Sequence, residues 1–152
     1  MSDPGNVRPE DFVEYRLVRL ADQLERRFTA ALAPTELSPR QFSVLAVLAS
    51  TPDVTSAGLA RAVLTTPQSM HTLLDQLQSR GLIDRGQVRG RGRPAPVRLT
   101  PDGLALLSAA SARVTELEDE TRARLGEARY HQLVRLLGRV EDVVGVDRSG
   151  EK

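Results

Sequence analysis

TPQSMHTLLDQLQSRGLIDR, from Thr66 to Arg85, encodes a capped helix, its stop and the first strand of a hairpin. Thr66 supplies an N-cap hydroxyl, and Pro67 takes the first helical position, where a missing N–H costs nothing. Met70, Leu73, Leu74 and Leu77 recur at helical spacing and predict one buried stripe. Gly81, directly after Arg80, is the residue type that closes a helix in the left-handed conformation. Residues 82–85 read as a short strand, 86–94 as a loop rich in Gly, Arg and Pro, and 96–99 as the return strand. The polar side of the helix carries Gln68, Ser69, His71, Thr72, Asp75 and Gln76. A solvated helix face is usually rich in Glu, Lys and Arg; this one is mostly short or amide-bearing. Gln can pair with adenine through both amide atoms, and Ser and Thr bond several base edges, so such a face suits the major groove of DNA.

Upstream, Thr55 caps a short helix over 56–63 with Leu59, Ala60 and Val63 facing inward. Two helices joined by a short turn form the helix-turn-helix pattern, and the hairpin after the second adds a wing. Before them, Ser38, Pro39 and Gln41 match the N-cap, first position and N3 of a capping box. Phe42, Leu45 and Leu48 are the buried face of that helix, and Thr51-Pro52-Asp53 stops it. The first helix, 9–32, carries Val13, Leu17, Leu20, Leu24 and Phe28 on one stripe and ends at Pro34. After the hairpin, Thr100-Pro101-Asp102 starts a helix over 101–125 whose expected buried side is Leu104, Leu107, Val114, Leu117 and Thr121. A last helix, 127–144, aligns Tyr130, Leu133, Val134, Leu137, Val140 and Val144.

The fold class expected is therefore mainly α with a small β wing. A winged helix-turn-helix DNA-binding domain spans 38–100. An N-terminal dimerisation helix at 9–33 and C-terminal dimerisation helices at 101–145 flank it, with flexible ends at 1–8 and 146–152. Alone, the winged domain would leave the stripes of the terminal helices in water. Apolar patches of that size are rare on monomers, so a homodimer is expected. A two-fold dimer presents two recognition helices and predicts a palindromic operator.

The net charge is only +1, so bulk charge does not point to nucleic acid. Its distribution does. Arg80, Arg85, Arg89, Arg91, Arg93 and Arg98 face a single acid, Asp84, in residues 80–98, a local excess of five positive charges on a chain otherwise net negative. A basic block on an acidic body is the electrostatic footprint of a phosphate-binding element. Part of the Arg excess is compositional, since the Arg, Ala and Leu bias has the look of GC-rich coding DNA. An isolated loop of this kind also fits a solvated turn; after a helix-turn-helix it reads as DNA contact through Arg89, Arg91 and Arg93.

Several classes are excluded or unsupported. There is no Cys, hence no disulfide, thiolate metal site or thiol redox sensor. His71 and His131 are the only histidines and lack companion ligands, so neither a metal nor a cofactor is expected. His71 suits a bond to DNA or water, and His131 a structural role. The first twelve residues hold acids and no apolar run, unlike a signal peptide, and no stretch approaches a membrane span, so a cytoplasmic protein with no membrane partner is expected. No nucleophile–base pattern or glycine-rich phosphate loop marks an enzyme.

From about residue 12 to 144 the chain resembles the MarR family of transcriptional regulators. The resemblance is carried by residues 73–83, LLDQLQSRGLI, similar to the family's recognition-helix end and first wing strand, and by residues 97–103, VRLTPDG, similar to its strand-to-helix junction. It implies a dimer joined through the terminal helices and release from DNA by a small aromatic or apolar effector. It also implies that Arg93 is the wing arginine that enters the minor groove. Two positions depart from the family. Arg91 stands where an acid usually braces the wing arginine, and Thr72 and Gln76 stand where the family often has Arg, so base preference cannot be copied from relatives. Phe12, Tyr15, Arg16 and Phe42 are candidate ligand-pocket residues, with Phe28 beside them; core packing is the competing reading for each aromatic. With aromatics at 3% of the chain, such a pocket would be mainly aliphatic. The function expected is a sequence-specific DNA-binding regulator, a repressor released by a small molecule. The alternative is a helical protein-interaction module with a winged domain and no specific DNA site.

Overall fold

In the computed structural model, residues 8–86 and 96–144 are described. A 3-10 turn, Pro9–Asp11, leads into α1 (Val13–Leu32), followed by a second 3-10 turn (Ala33–Thr35), α2 (Pro39–Ser50), α3 (Ser56–Ala62) and α4 (Pro67–Ser79). Strands β1 (Ile83–Arg85) and β2 (Val97–Leu99) pair antiparallel, with Ile83 opposite Leu99 and Arg85 opposite Val97. Helices α5 (Pro101–Leu125) and α6 (Glu127–Val144) complete the chain. It divides into two compact units, one up to Val114 and one from Thr115, with the boundary inside α5. The expected flexible ends lie almost wholly outside the described residues.

The helix starts follow the local chemistry of the sequence. Ser38 accepts from the Gln41 N–H while its own N–H donates to Gln41 Oε1, the reciprocal capping box. Thr55 and Thr66 each accept from the N–H three residues on. At the end of α4, Gly81 sits at φ +69° and the Leu82 N–H returns to the Leu77 carbonyl, a closure that glycine permits without steric cost. The first helix begins later than its periodicity suggested. No side chain caps the 3-10 turn at Pro9, and Phe12 is extended, so regular helix starts at Val13.

In the first unit, Leu32, Val44, Leu45, Leu59, Met70, Leu74 and Leu77 are wholly buried and are joined by Ile83, Val97, Leu107 and Ala110. Each fully buried aliphatic side chain of this size contributes about 1.5–3 kcal/mol relative to exposure. Helices α2, α3 and α4, the wing strands and the start of α5 thus share one core. The start of α5 corrects one expectation. Leu104 is 56% exposed, and the inward side is Gly103, Leu107 and Ala110. The cause is main-chain packing. A Cβ on Gly103 would lie 1.9 Å from the Leu82 carbonyl oxygen. The Thr100 N–H also donates to that oxygen, and Thr100 Oγ1 accepts from the Gly103 N–H. These contacts fix the rotation of α5 about its axis and turn Leu104 outward by one helical step.

Along α1, Phe28 meets Phe42 edge-on with centroids 5.6 Å apart, and Leu32 is buried, while Val13, Leu20 and Leu24 stay exposed in the single chain. In the second unit, Gly126 at φ +79° turns the chain between α5 and α6. Tyr130 donates to Glu118 and lies under the Arg122 guanidinium, 4.7 Å from ring centroid to Cζ. His131, exposed, faces Glu127 one turn earlier at 3.3 Å. Leu133, Val134, Leu136 and Leu137 on α6 are exposed in the single chain.

Gly103→Ala places a methyl group inside the van der Waals radius of a carbonyl, and relieving it requires the wing strand and α5 to separate. It should lower unfolding free energy by about 3 kcal/mol or more, measured by urea denaturation; a loss under ~0.5 kcal/mol would show that the contact is not as close as described.

Candidate nucleic-acid interface

Burial of Met70, Leu74 and Leu77 dictates which residues α4 offers to solvent. Gln68, Thr72 and Asp75 lie opposite at helical spacing and are exposed, with Ser69 and Gln76 on one flank and His71 on the other. The sequence-predicted residues of α4 are therefore brought together on one side of the helix. Thr72 Oγ1 donates to the Gln68 carbonyl at 3.3 Å, and the Ser69 hydroxyl accepts from Thr66 Oγ1 at 2.9 Å. Gln76 is engaged: its Oε1 accepts from Gln41 Nε2 at 3.1 Å, which ties α4 to the start of α2.

The turn between α3 and α4 has a feature that the residue type does not announce. Leu64 adopts φ +53° and is 68% exposed, while the Thr65 N–H returns to the Ala60 carbonyl. This closes α3 as Gly81 closes α4, but with a leucine in the strained left-handed position.

The basic block divides into two sets. Arg80 donates to the carbonyls of Glu36, at 2.9 Å, and Thr35, holding the turn before α2 against the end of α4. Arg85, with a side chain only 20% exposed, pairs with Asp75 at 2.8 Å and also donates to the His71 carbonyl. Arg98 pairs with Asp53 at 3.1 Å, linking β2 to the left-handed turn after α2. Three of the six arginines thus bond to other segments of the helix-turn-helix and its wing root. The charge count did not separate them, although the acids Asp53 and Asp75 were visible partners. The other three, Arg89, Arg91 and Arg93, lie outside the described residues. Pairing with Arg85 also partly offsets the negative charge of Asp75, the one acid on the outward side of α4 that would oppose a phosphate backbone.

The aromatic candidates for a ligand pocket occupy different surroundings. Phe12 and Tyr15 are 51% and 41% exposed, Phe42 is half-buried against Phe28, and Arg16 donates to the Glu10 carbonyl. A shallow groove elsewhere on α1 is lined by Asp22, Glu25, Arg26, Thr29, Ala30 and Ala33 and contains none of them. Among the described residues no group of three His, Asp or Glu side chains is placed to hold a metal, and no helix is long and apolar enough to cross a membrane.

Two helices joined by a tight turn, followed at once by a two-stranded hairpin, define a winged helix-turn-helix, with α4 as the helix whose outer side is free. Residues 35–94 match the model of the MarR family. The HTH-type transcriptional repressor Rv2887 of Mycobacterium tuberculosis is 35% identical over 123 residues, which cover 81% of this chain and 88% of the repressor. A crystal structure of Rv2887 in complex with salicylic acid superposes with a TM-score of 0.69 at 33% identity, covering 85% and 96% of the two chains. The transcriptional repressor CouR, bound to a 23-mer DNA duplex, superposes with a TM-score of 0.81 at 29% identity, covering 86% and 93%. The chain belongs to the MarR family of transcriptional regulators.

The two ion pairs that Arg85 and Arg98 make should differ in strength. Arg85 is mostly buried, while both members of the Arg98–Asp53 pair are well exposed. Double-mutant cycles in denaturant should give a coupling of about 1 kcal/mol for Arg85–Asp75 and near zero for Arg98–Asp53. Equal couplings would contradict a difference in burial between the two pairs.

Proposed function

We propose that this protein is a homodimeric repressor that reads a palindromic operator with α4 and grips the flanking phosphates with the wing. The observation that carries the reading is the outer side of α4: Gln68, Thr72 and Ser69 present donors and acceptors suited to base edges, and the only acid among them is held by Arg85. Rv2887 and CouR, both repressors by name, and the duplex on CouR support the same reading. Phosphate contacts position such a protein, and base contacts specify its site.

In this arrangement Gln68, Ser69, His71 and Thr72 face the major groove, Arg89 and Arg91 follow the backbone, and Arg93 enters the adjacent minor groove, where a narrow A·T tract attracts arginine. The dimer contact uses the apolar sides of α1 and α6, where Leu20, Leu24, Leu133 and Leu137 otherwise remain in water. Two recognition helices related by a two-fold axis place the half-sites about one DNA turn, ~34 Å, apart. A monomer by sedimentation at micromolar concentration would contradict the paired arrangement. A protein acting on chromosomal DNA works in the cytoplasm, and binding, not catalysis, is its activity. The salicylic acid on Rv2887 supports a small aromatic effector here as well, and Phe12, Tyr15, Arg16 and Phe42 are the residues we assign to its pocket. The exposure of Phe12 and Tyr15 fits a pocket completed by the second copy.

Paired salt titrations on operator and scrambled duplex separate the two roles. Gln68→Ala should cost roughly 1–3 kcal/mol on the operator and little on scrambled DNA. Arg91→Ala should weaken both duplexes alike and reduce the salt slope by about 0.9 per subunit. Loss confined to the operator for Arg91→Ala, or equal loss on both for Gln68→Ala, would overturn these assignments.

A further inference from the structure

The capping box of α2 reaches the outer side of α4. The Ser38 N–H donates to Gln41 Oε1 at 3.0 Å, and Gln41 Nε2 donates to Gln76 Oε1 at 3.1 Å. The polarity of this chain is forced from one end. A main-chain N–H only donates, so the Gln41 oxygen must face Ser38. The Gln41 NH2 group then faces α4, and because an amide NH2 does not accept, Gln76 must turn its oxygen toward Gln41. The group of Gln76 that this chain of bonds leaves without a partner is its own NH2, while its oxygen is turned toward Gln41 and already accepts one bond. Gln76 is exposed, one turn after Thr72 and two turns after Ser69 on the same flank of the helix.

We infer that Gln76 is a specificity-determining residue that reads the major groove through its NH2, as a donor. It selects a keto base, through guanine O6 or thymine O4, at one position of each half-site, and does not make the two-atom contact that glutamine makes with adenine. The inference rests on α4 being the recognition helix. It departs from the residue type alone, which leaves both amide orientations open. An exposed hydrogen bond biases such an orientation by about two- to tenfold, so the preference at that position is modest and sits on top of the contacts of Gln68 and Thr72.

The chain of bonds supplies its own test. Gln41→Glu keeps the capping box, since a carboxylate oxygen accepts from the Ser38 N–H as an amide oxygen does. Its second oxygen accepts as well, so Gln76 must rotate, give its NH2 to Glu and present its oxygen to the groove. Wild type, Gln41→Glu and Gln76→Ala are each put through selection from a library of random duplexes. The added charge of Gln41→Glu lowers affinity for every duplex, so the readout is the relative base frequency at each position. Gln76→Ala should erase the preference at one symmetry-related pair of positions. At those same positions Gln41→Glu should exchange the wild-type base class, keto for amino or its complement, by about two- to tenfold. The rest of the operator should be unchanged, which also reports a folded protein. If Gln41→Glu selects wild-type frequencies at every position, or if Gln76→Ala changes none, the inference is overturned while the reading of α4 stands. If wild type enriches no sequence, that reading itself falls.

Discussion

Met70, Leu74 and Leu77 have almost no exposure to solvent, and the arrangement of the surface proposed to read DNA depends on that burial. A helix of 13 residues is too short to be stable in isolation, so α4 exists because one side of it is locked among Leu45, Leu59, Ile83 and Val97. Once three positions on that side are fixed, helical geometry fixes the others. Gln68, Thr72 and Asp75 must point away from the core, and no rotation that preserves the buried stripe can hide them. The polar side is thus a consequence of the apolar one. Apart from Asp75, which holds Arg85, and Gln76, which bonds Gln41, its residues take no part in holding the fold and their chemistry is free to vary.

The same core sets the root of the wing. Ile83 and Val97 bury the two ends of the short ladder, and the Leu82 carbonyl receives the Thr100 N–H with Gly103 pressed against it. Strand, junction and helix α5 are therefore held by main-chain contacts that tolerate no side chain at position 103. Arg80, Arg85 and Arg98 add polar braces around this frame, each anchored on a carbonyl or carboxylate of a different segment. These exposed and half-exposed contacts add little stability individually, but they define angles: turn against α4, wing root against α4, wing strand against the turn after α2. If α4 and the wing engage one duplex together, as proposed, those angles must be held.

Much of this was legible in the sequence because it is local. The Ser38–Gln41 box, the Thr-Pro starts at Thr66 and Thr100, and Gly81 each act within one helical turn, and each appears where the residue types placed it. What was not legible depends on contacts distant in sequence. Hydrophobicity places Leu104 on the inward side of α5 with Leu107, Val114, Leu117 and Thr121; Leu104 faces out because the deciding contact is a close approach of two backbones at Gly103, which leaves no hydrophobic signal. The six arginines looked equivalent because charge counts do not distinguish a guanidinium bound to a carbonyl 44 residues away from one free to meet phosphate. Leu64 gave no sign of its left-handed backbone, and Gln76 none of its bond to Gln41. The residues of α4 proposed to face DNA follow from periodicity alone, whereas the orientation of their amides follows only from the fold.

Because the chain contains no cysteine, a single reactive thiol can be introduced without background. Thr72→Cys, carrying an iron chelate that cleaves nearby DNA, tests directly whether the outer side of α4 enters the major groove. On a duplex recovered by selection, the account predicts cleavage at two symmetric loci about one helical turn apart, with the strand offset of major-groove attack. Cleavage spread evenly along the duplex, cleavage with a minor-groove offset, or none from a labelled protein that still binds, would contradict it.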